Sequence, residues 1–530
     1  MSAITPPAPA AGEGSAARLA ALLARGRVQA RRARRPVLVS LVEAVPALDL
    51  LDALQRAAAP DYAAPERTAT DRFYWERPDR GVALAGAGAA VTLAPAGARR
   101  FETVDRAWRA LVAGALVDDE ADGAPMTGPL LVGGFAFEPD GPRTERWRGF
   151  PAALMLLPRL QLTVVDGRSW LTTNVVVRAD GQPDIEASTL RRLRGVLLGE
   201  RAAPPAPAVP RPVAAGGEET EVPPAAEWER GVDEAVTAIR GGALEKVVLA
   251  REVRARAGQR FDVADALRRL GAAYPSCFVY ALWRGERAFV GASPERLVRL
   301  EQGDVRATCL AGSIGRGATP EADQRQGERL LASAKDRHEH AVVARALRDG
   351  LAELCDDVRA PAEPTLLTVS NVHHLHTPLR ARLRPGCGLL DLVARLHPTP
   401  AVGGAPREAA LRFLRAHEAL DRGWYAGPIG WLGRDGDGEF AVALRSALVD
   451  GREASLFAGC GVMADSDPAE EYAESALKLR AMEAALGLEG RLQAPGSRRE
   501  GEEGDEVEGA EGTDRAEGAE GSGAGRRAAS

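Results

Sequence analysis

Four groups of polar side chains in this sequence lie among apolar neighbours, at spacings that suit proton transfer beside a bound cation. Lys246 opens the strand-like run KVVLA, and Glu295 follows Pro294 in GASPERLV. Asp336 and Glu339 lie three apart in KDRHEHAVV, a helix-like stretch that is apolar at Val342, Val343, Ala346 and Leu347. Glu471, Glu474 and Lys478 fall at i, i+3 and i+7 in EEYAESALK, on one face of a helix. Singly, each has a bland reading: a strand-end lysine in solvent, a turn glutamate, an exposed helical carboxylate, a solvated Glu–Lys stripe. Together they supply one candidate base, one candidate acid, and carboxylates on two helices able to share a hard cation. Mg²⁺ typically takes one or two protein carboxylates and completes its shell with substrate oxygens and water.

Lysine usage sharpens this selection. Lys and Arg together number 68, yet only Lys246, Lys335 and Lys478 are lysines. Wherever positive charge alone suffices the chain uses Arg, so a surviving ammonium marks a place for a compact cation that can lose its proton. Lys335 has no role legible in the sequence.

The elements that must position these groups can be read in outline. The stretch 459–482 is a glycine loop running into a capped helix. Asp467 suits the N-cap, Pro468 the first helical position, and Glu470 the third, as in a capping box. Strand-like runs occupy 73–95, 130–140, 153–167, 169–177 and 246–256, with Asp166-Gly167, Asp435-Gly436 and Asp450-Gly451 as hairpin turns. Helices are expected over 99–117, 186–198, 227–240 and 262–273, and one long helix over about 320–354. Hairpins with peripheral helices make an α+β protein. Residues 1–35 read as a flexible leader with room for one Ala/Leu/Arg helix. The Pro/Ala/Gly-rich stretch 203–225 reads as a surface linker or long loop, and 491–530 as a disordered acidic tail.

Composition excludes several classes. The net charge of −6 comes from the tail: Glu500 to Ser530 carries ten acidic and three basic residues, leaving the body near +1. A near-neutral body without a basic, aromatic-studded stripe gives no reason to expect nucleic acid binding. No apolar run approaches the roughly 20 residues of a membrane span, and the N-terminus lacks a signal-peptide layout. Five scattered cysteines without a CxxC fit reduced thiols in a cytoplasm. All seven histidines lie between His338 and His417, but His374 and His376 share a strand face with no second cluster at zinc spacing. The glycines of AGSIGRG lack the Lys-Ser/Thr ending of a phosphate loop.

Nine ordered segments make the second half recognisable: LEKVVLAREV, GASPERLV, CLAGSIGRG, SAKDRHEHAVV, VHHLHT, LHPTPAVGGAP, RGWYAGPIGW, FAVALRSALV and AGCGVMADSDPAEEYAESALKL. They resemble the chorismate-utilising enzymes, the family of isochorismate, salicylate, anthranilate and aminodeoxychorismate synthases. The resemblance is strong over 226–486 and looser over 37–198. Within the family, Lys246 matches the water-activating lysine of the isochorismate and salicylate branch. Ala311 stands where aminodeoxychorismate synthases carry a nucleophilic lysine. Ala401 stands where lyase-competent members tend to have Thr. The pattern is most similar to the isochorismate synthases. A salicylate synthase or other chorismate lyase is the alternative, and a non-catalytic chorismate-fold binding protein the remote one.

The resemblance implies a fold and a site. The fold is a single large four-layer α/β/β/α domain over 36–490, with two orthogonally packed antiparallel sheets inside. Its two halves, 36–200 and 226–487, interleave. The resemblance implies Mg²⁺ held by Glu339 and Glu474, with Asp336 and Glu471 as outer support. It implies Lys246 as general base toward a water attacking C2 of chorismate, and Glu295 as general acid toward the departing C4 hydroxyl. Tyr425 and Arg445 would hold the enolpyruvyl carboxylate, and Lys478 and the backbone near Gly312 and Gly459 would assist at the carboxylates. His374 would hydrogen-bond the substrate near the ring, with Ala401 lining the pocket. A monomer with no glutaminase partner is expected.

Overall fold

Aliphatic and β-branched runs broken by Asp-Gly pairs form long antiparallel strands, and the Ala/Leu/Arg segments between them form helices. The computed structural model describes residues 11–58, 71–200, 219–369 and 372–488. The first half contains α1 (Ala11–Ala33), β1 (Val37–Val45), α2 (Leu50–Arg56), β2 (Arg72–Arg77), β3 (Val82–Leu93), α3 (Arg100–Val112), β4 (Leu116–Asp119), β5 (Leu130–Phe135), β6 (Ala153–Val165), β7 (Arg168–Val177) and α4 (Ala187–Leu197). The second half opens with β8 (Glu219–Val222), α5 (Ala225–Arg240), β9 (Lys246–Arg256), α6 (Val263–Ala273), β10 (Phe278–Arg284), β11 (Arg287–Ser293), β12 (Arg296–Glu301) and β13 (Asp304–Gly315). It continues with α7 (Pro320–Ala332), α8 (Ala334–Ala352), β14 (Cys355–Arg359), β15 (Thr365–Thr368), β16 (Val372–Leu383), α9 (Leu389–Leu396), β17 (Gly404–Ala405) and α10 (Arg407–His417). It closes with β18 (Pro428–Gly433), β19 (Gly438–Val442), β20 (Ser446–Asp450), β21 (Glu453–Val462) and α11 (Pro468–Leu486).

The strands form two arms of one hydrogen-bonded network. One arm runs β1–β7–β6–β3–β2–β10–β11–β20–β21–β9. The other runs β5–β18–β19–β12–β13–β16. They meet on β6, whose first residues pair with β5 while its later ones pair with β7. Among the described residues every ladder is antiparallel except β1 with β4. The halves interleave as expected: β2 pairs with β10, and β5 with β18. Helices cover the arms, α8 and α9 over β13, β16 and β12, and α5 and α11 over β9 and β21. The α+β class and the antiparallel core agree with the sequence, and the two expected sheets are joined through β6 into one network.

Three expectations change. Residues 11–33 are a helix docked on β1, with Leu22 and Ala30 buried, not a loose leader. Gly26 permits the close approach, since a Cβ there would fall 2.8 Å from the Val39 side chain. The last residues of the expected loop, Glu219–Val222, pair with β9 as β8; residues 203–218 and the acidic tail lie outside the described residues. The long helix at 320–354 is two helices. Ser333 is extended (φ −67°, ψ 115°), and its side chain accepts the Asp336 N–H, ending α7 and starting α8 in a new direction.

The chain crosses from one arm to the other at two places that matter for the site. Pro294 and Glu295 connect β11 to β12, and Ala443 to Arg445 connect β19 to β20. The crossings are stitched together. Val442 donates its N–H to the Glu295 carbonyl, and Ala292 donates to the Arg445 carbonyl, both at 3.1 Å. Arg445 takes a left-handed φ of +48° to make its turn.

Candidate active site

A pocket opens where the two arms, α8 and α11 converge. Glu295, Gly312, Glu339, His374, Ala401 and Tyr425 line it, as do Arg445, Gly459, Glu474 and Lys478. Lys246 is buried directly behind Glu339, while Asp336 and Glu471 stand one helical turn back from the wall, before Glu339 and Glu474. Thus residues separated by more than 200 positions in sequence share one cavity.

Each side chain is placed by an element whose local sequence explains it. Lys246 is the first residue of β9, pinned between β21 and the short β17, and is 1 % exposed. Its Nζ lies 2.8 Å from Glu339 Oε1. The gap between strand and helix stays open because residue 461 is glycine. A Cβ there would fall 2.3 Å from Glu339 Oε1 and 2.8 Å from Lys246 Cε. On α11, Asp467 accepts the N–H groups of Ala469 and Glu470 and fixes the helix start. Lys478 then reaches both Glu474 Oε1 at 2.7 Å and the Gly459 carbonyl at 2.9 Å. A bulge in β13 between Leu310 and Ser313 brings Gly312 (φ +77°) against the Asp336 side chain.

Electrostatics divides these groups into distinct roles. Glu295 is fully buried on its crossing; burial pushes its carboxyl up to about 8, against the pull of Lys246. His374 is held well below its ordinary value by burial, with Arg445 and Lys478 adding to the effect, so it is a neutral imidazole. Its Nδ1 lies 2.8 Å from Ser313 Oγ and its Nε2 3.4 Å from Arg445 Nη2. Burial lifts the Tyr425 hydroxyl to about 12, so it stays a donor, and its ring stacks on Phe457. Burial pulls Lys478 down, but Glu474 outweighs it and leaves the ammonium above its ordinary range. Burial raises Asp336, with Glu339 and Glu474 contributing, and raises Glu471, with Glu474 contributing. Asp336 thus feels the charges of Glu339 on its own helix and of Glu474 on the other, and Glu471 that of Glu474.

The residues fit a hard divalent cation. Glu339 and Glu474 offer carboxylate oxygens on one wall of the pocket, and Glu471 Oε2 is a buried oxygen with no hydrogen-bond partner. Mutual repulsion in that carboxylate group is what a cation relieves. Among the described residues no set of three or more His, Cys, Asp or Glu side chains converges as a ready-made cage. The histidines form no zinc site either. His373 bonds Asp323 and Thr368, and His376 lies beside Thr365.

A family model described as chorismate binding enzyme matches residues 24–487. The chain belongs to the chorismate-binding enzymes. It is similar to the Salicylate biosynthesis isochorismate synthase of Pseudomonas aeruginosa, 40 % identical over 464 residues, covering 88 % of this chain and 93 % of that one. It is also similar to the Isochorismate synthase MenF of Bacillus subtilis, 35 % identical over 467 residues, covering 87 % and 96 % respectively. The solved structure of MenF, the menaquinone-specific isochorismate synthase of Escherichia coli, shares the fold, with a TM-score of 0.69 over 88 % of this chain and 99 % of that one, at 24 % identity.

Two residues of this chorismate-binding enzyme, one lining the pocket and one behind it, carried no legible signal in the sequence. Arg422 lines the cavity at 4 % exposure, with all its polar contacts spent internally: both Glu418 oxygens, the Val402 carbonyl and the Val248 carbonyl, at 2.6–2.7 Å. Glu418 in turn accepts the Ala250 N–H. This pair ties the wall bearing Ala401 and Val402 to β9, the strand that begins with Lys246. An arginine in an arginine-rich chain carried no signal, although it opens the RGWYAG motif. The second is Lys335, whose Nζ lies 2.9 Å from Glu471 Oε1. All three lysines of the chain are thus paired with glutamates of this one cluster.

Proposed function

We propose that this chain is a Mg²⁺-dependent isochorismate synthase that converts chorismate to isochorismate. The observation that carries the reading is the pairing of two buried, oppositely suited groups in one pocket: Lys246, fixed against Glu339, and Glu295, held protonated by burial. The printed names of the relatives at 35 % and 40 % identity support the same assignment.

In this reading Lys246 Nζ acts in its amine form, having released its own proton, and takes a proton from a water that attacks C2 of the ring. The ring double bond shifts, and the C4 hydroxyl leaves with the proton of Glu295 as water. One water enters and one departs, so substrate and product are isomers, and solvent exchange resets the two side chains. Arg445 and Tyr425 receive the enolpyruvyl carboxylate, for which a guanidinium offers paired donors. Neutral His374, held by Ser313, accepts or donates a hydrogen bond at the ring without adding charge. Glu339 and Glu474 would hold Mg²⁺, with Asp336 and Glu471 behind them. Bound Mg²⁺ supplies neutralisation of the ring carboxylate and of charge that develops during the exchange.

Ala401 presents only a methyl group to the pocket, which suits hydroxyl exchange over pyruvate elimination. No helix of the described residues is long and apolar enough to cross a membrane. Incubation with chorismate and Mg²⁺ tests the whole reading. Isochorismate is the expected product, identified by chromatography and NMR. Stoichiometric pyruvate from the purified chain would transfer the assignment to a lyase, and no conversion at all would leave a binding protein.

A further inference from the structure

The two helices that carry the carboxylates approach the pocket from different arms of the sheet. A direct side-chain tie between them is Lys335 on α8 to Glu471 on α11. Lys335 is one residue before Asp336 and four before Glu339, and Glu471 is three before Glu474. Any change in the reach of this tie therefore moves the Glu339 and Glu474 carboxylates relative to one another.

The tie is also selective for one oxygen. Lys335 Nζ and the Ser466 hydroxyl both donate to Glu471 Oε1, at 2.9 and 2.7 Å. Ser466 is itself oriented by accepting the Met463 N–H at 3.0 Å. Glu471 Oε2 receives no N–H or O–H, although the side chain is 3 % exposed. The Cys460 thiol, a weak donor that burial keeps protonated, also interacts with the Glu471 carboxylate. A carboxylate with one oxygen doubly anchored and the other offered at most a weak thiol in a buried setting is costly unless something else completes it.

We propose that Lys335 is a positioning residue for the divalent cation: it anchors Glu471 through Oε1, leaves Oε2 to accept from the cation's water shell, and sets the spacing between α8 and α11. The inference rests on the Mg²⁺ reading above. Partners one shell removed from a metal commonly contribute 10- to 100-fold to its affinity. A lysine is also a positive charge near the cation, and simple repulsion would predict the opposite sign for its removal.

Calorimetric titration of the full chain with Mg²⁺, without chorismate, separates these cases. Lys335→Met is expected to bind Mg²⁺ about 10-fold or more weaker than the natural chain. Lys335→Arg, which keeps a donor on Oε1, is expected to stay within about 3-fold. Unchanged or tighter binding in Lys335→Met overturns the proposal. Should that variant fail to fold, Ser466→Ala removes the second anchor on the same oxygen and must also weaken Mg²⁺ binding, or the proposal falls. A natural chain that takes up no Mg²⁺ overturns the metal reading and this inference together, whereas normal Mg²⁺ binding in the natural chain with no effect of either variant overturns this inference alone.

Discussion

The backbones of Glu295 and Arg445 lock each other's turns. The Glu295 carbonyl accepts the N–H of Val442, and the Arg445 carbonyl accepts that of Ala292, on two crossings that pass side by side between the sheet arms. The candidate acid and the candidate carboxylate receptor are thus set at a fixed separation by main chain alone. Their side chains remain free for chemistry, and either can be replaced without unpicking the crossing.

Glu295→Gln should therefore fold and lose activity by at least about 10²-fold, the usual contribution of a general acid. The pH dependence has a definite sign. The Glu295 carboxyl is raised from an ordinary 4.5 to about 8 in the folded chain, so between those values the folded form keeps a proton that the unfolded form has released. Its contribution to stability is full below about 4.5 and lost as pH rises through 8. Denaturant unfolding at pH 5 and pH 8.5 should show a steeper loss in the natural chain than in Glu295→Gln. The natural enzyme's kcat/KM should fall with an apparent pKa near 8. A flat difference between the two proteins across that range would remove the assigned protonation state.

Lys246→Gln should abolish turnover and also expose a debt in charge. Glu339, 13 % exposed, would lose its 2.8 Å partner. Breaking one side of such a pair costs on the order of 3 kcal/mol. Because a bound cation would take over the counter-charge, saturating Mg²⁺ should restore part of that loss. Urea unfolding with and without Mg²⁺ measures both quantities; a variant as stable as the natural chain in metal-free buffer contradicts the pairing.

Arg422→Lys keeps the charge but not the fork. A lysine has three donors on one atom and cannot serve both Glu418 oxygens and the Val402 and Val248 carbonyls together. Loss of about 3 kcal/mol in unfolding free energy is expected, with a raised KM for chorismate as the wall at Ala401 loosens. Natural stability in this variant would show that the network is dispensable.

Much of this arrangement was legible in the residues, for reasons that differ by element. Asp467-Pro468 marked the start of α11 because capping is local chemistry, and β9 was bounded correctly because the apolar VVLA after Lys246 passes into an apolar-charged alternation that ends before Gly258. Asp166-Gly167 was legible as a turn because both residues take left-handed φ, +50° and +73°. The break at Ser333 was not, since a serine between two helical stretches reads equally as interior or cap until its partner Asp336 N–H is seen. The docking of α1 depends on β1, which has no local signature in the helix. Lys335 and Arg422 were missed for a shared reason: their partners, Glu471 and the carbonyls of Val402 and Val248, become neighbours only through tertiary folding.

The scarcity of lysine has a further consequence for how the surface of this protein meets reactive small molecules. Acylating metabolites and amine-directed labels find side-chain targets only at Lys246, Lys335 and Lys478, which are 1 %, 29 % and 17 % exposed. The 65 guanidiniums elsewhere are inert to such reagents. Side-chain amine acylation is thereby confined to the lysine–glutamate cluster at and behind one wall of a single cavity, and Lys335, the most open of the three, is the position where a stray acyl group would first register.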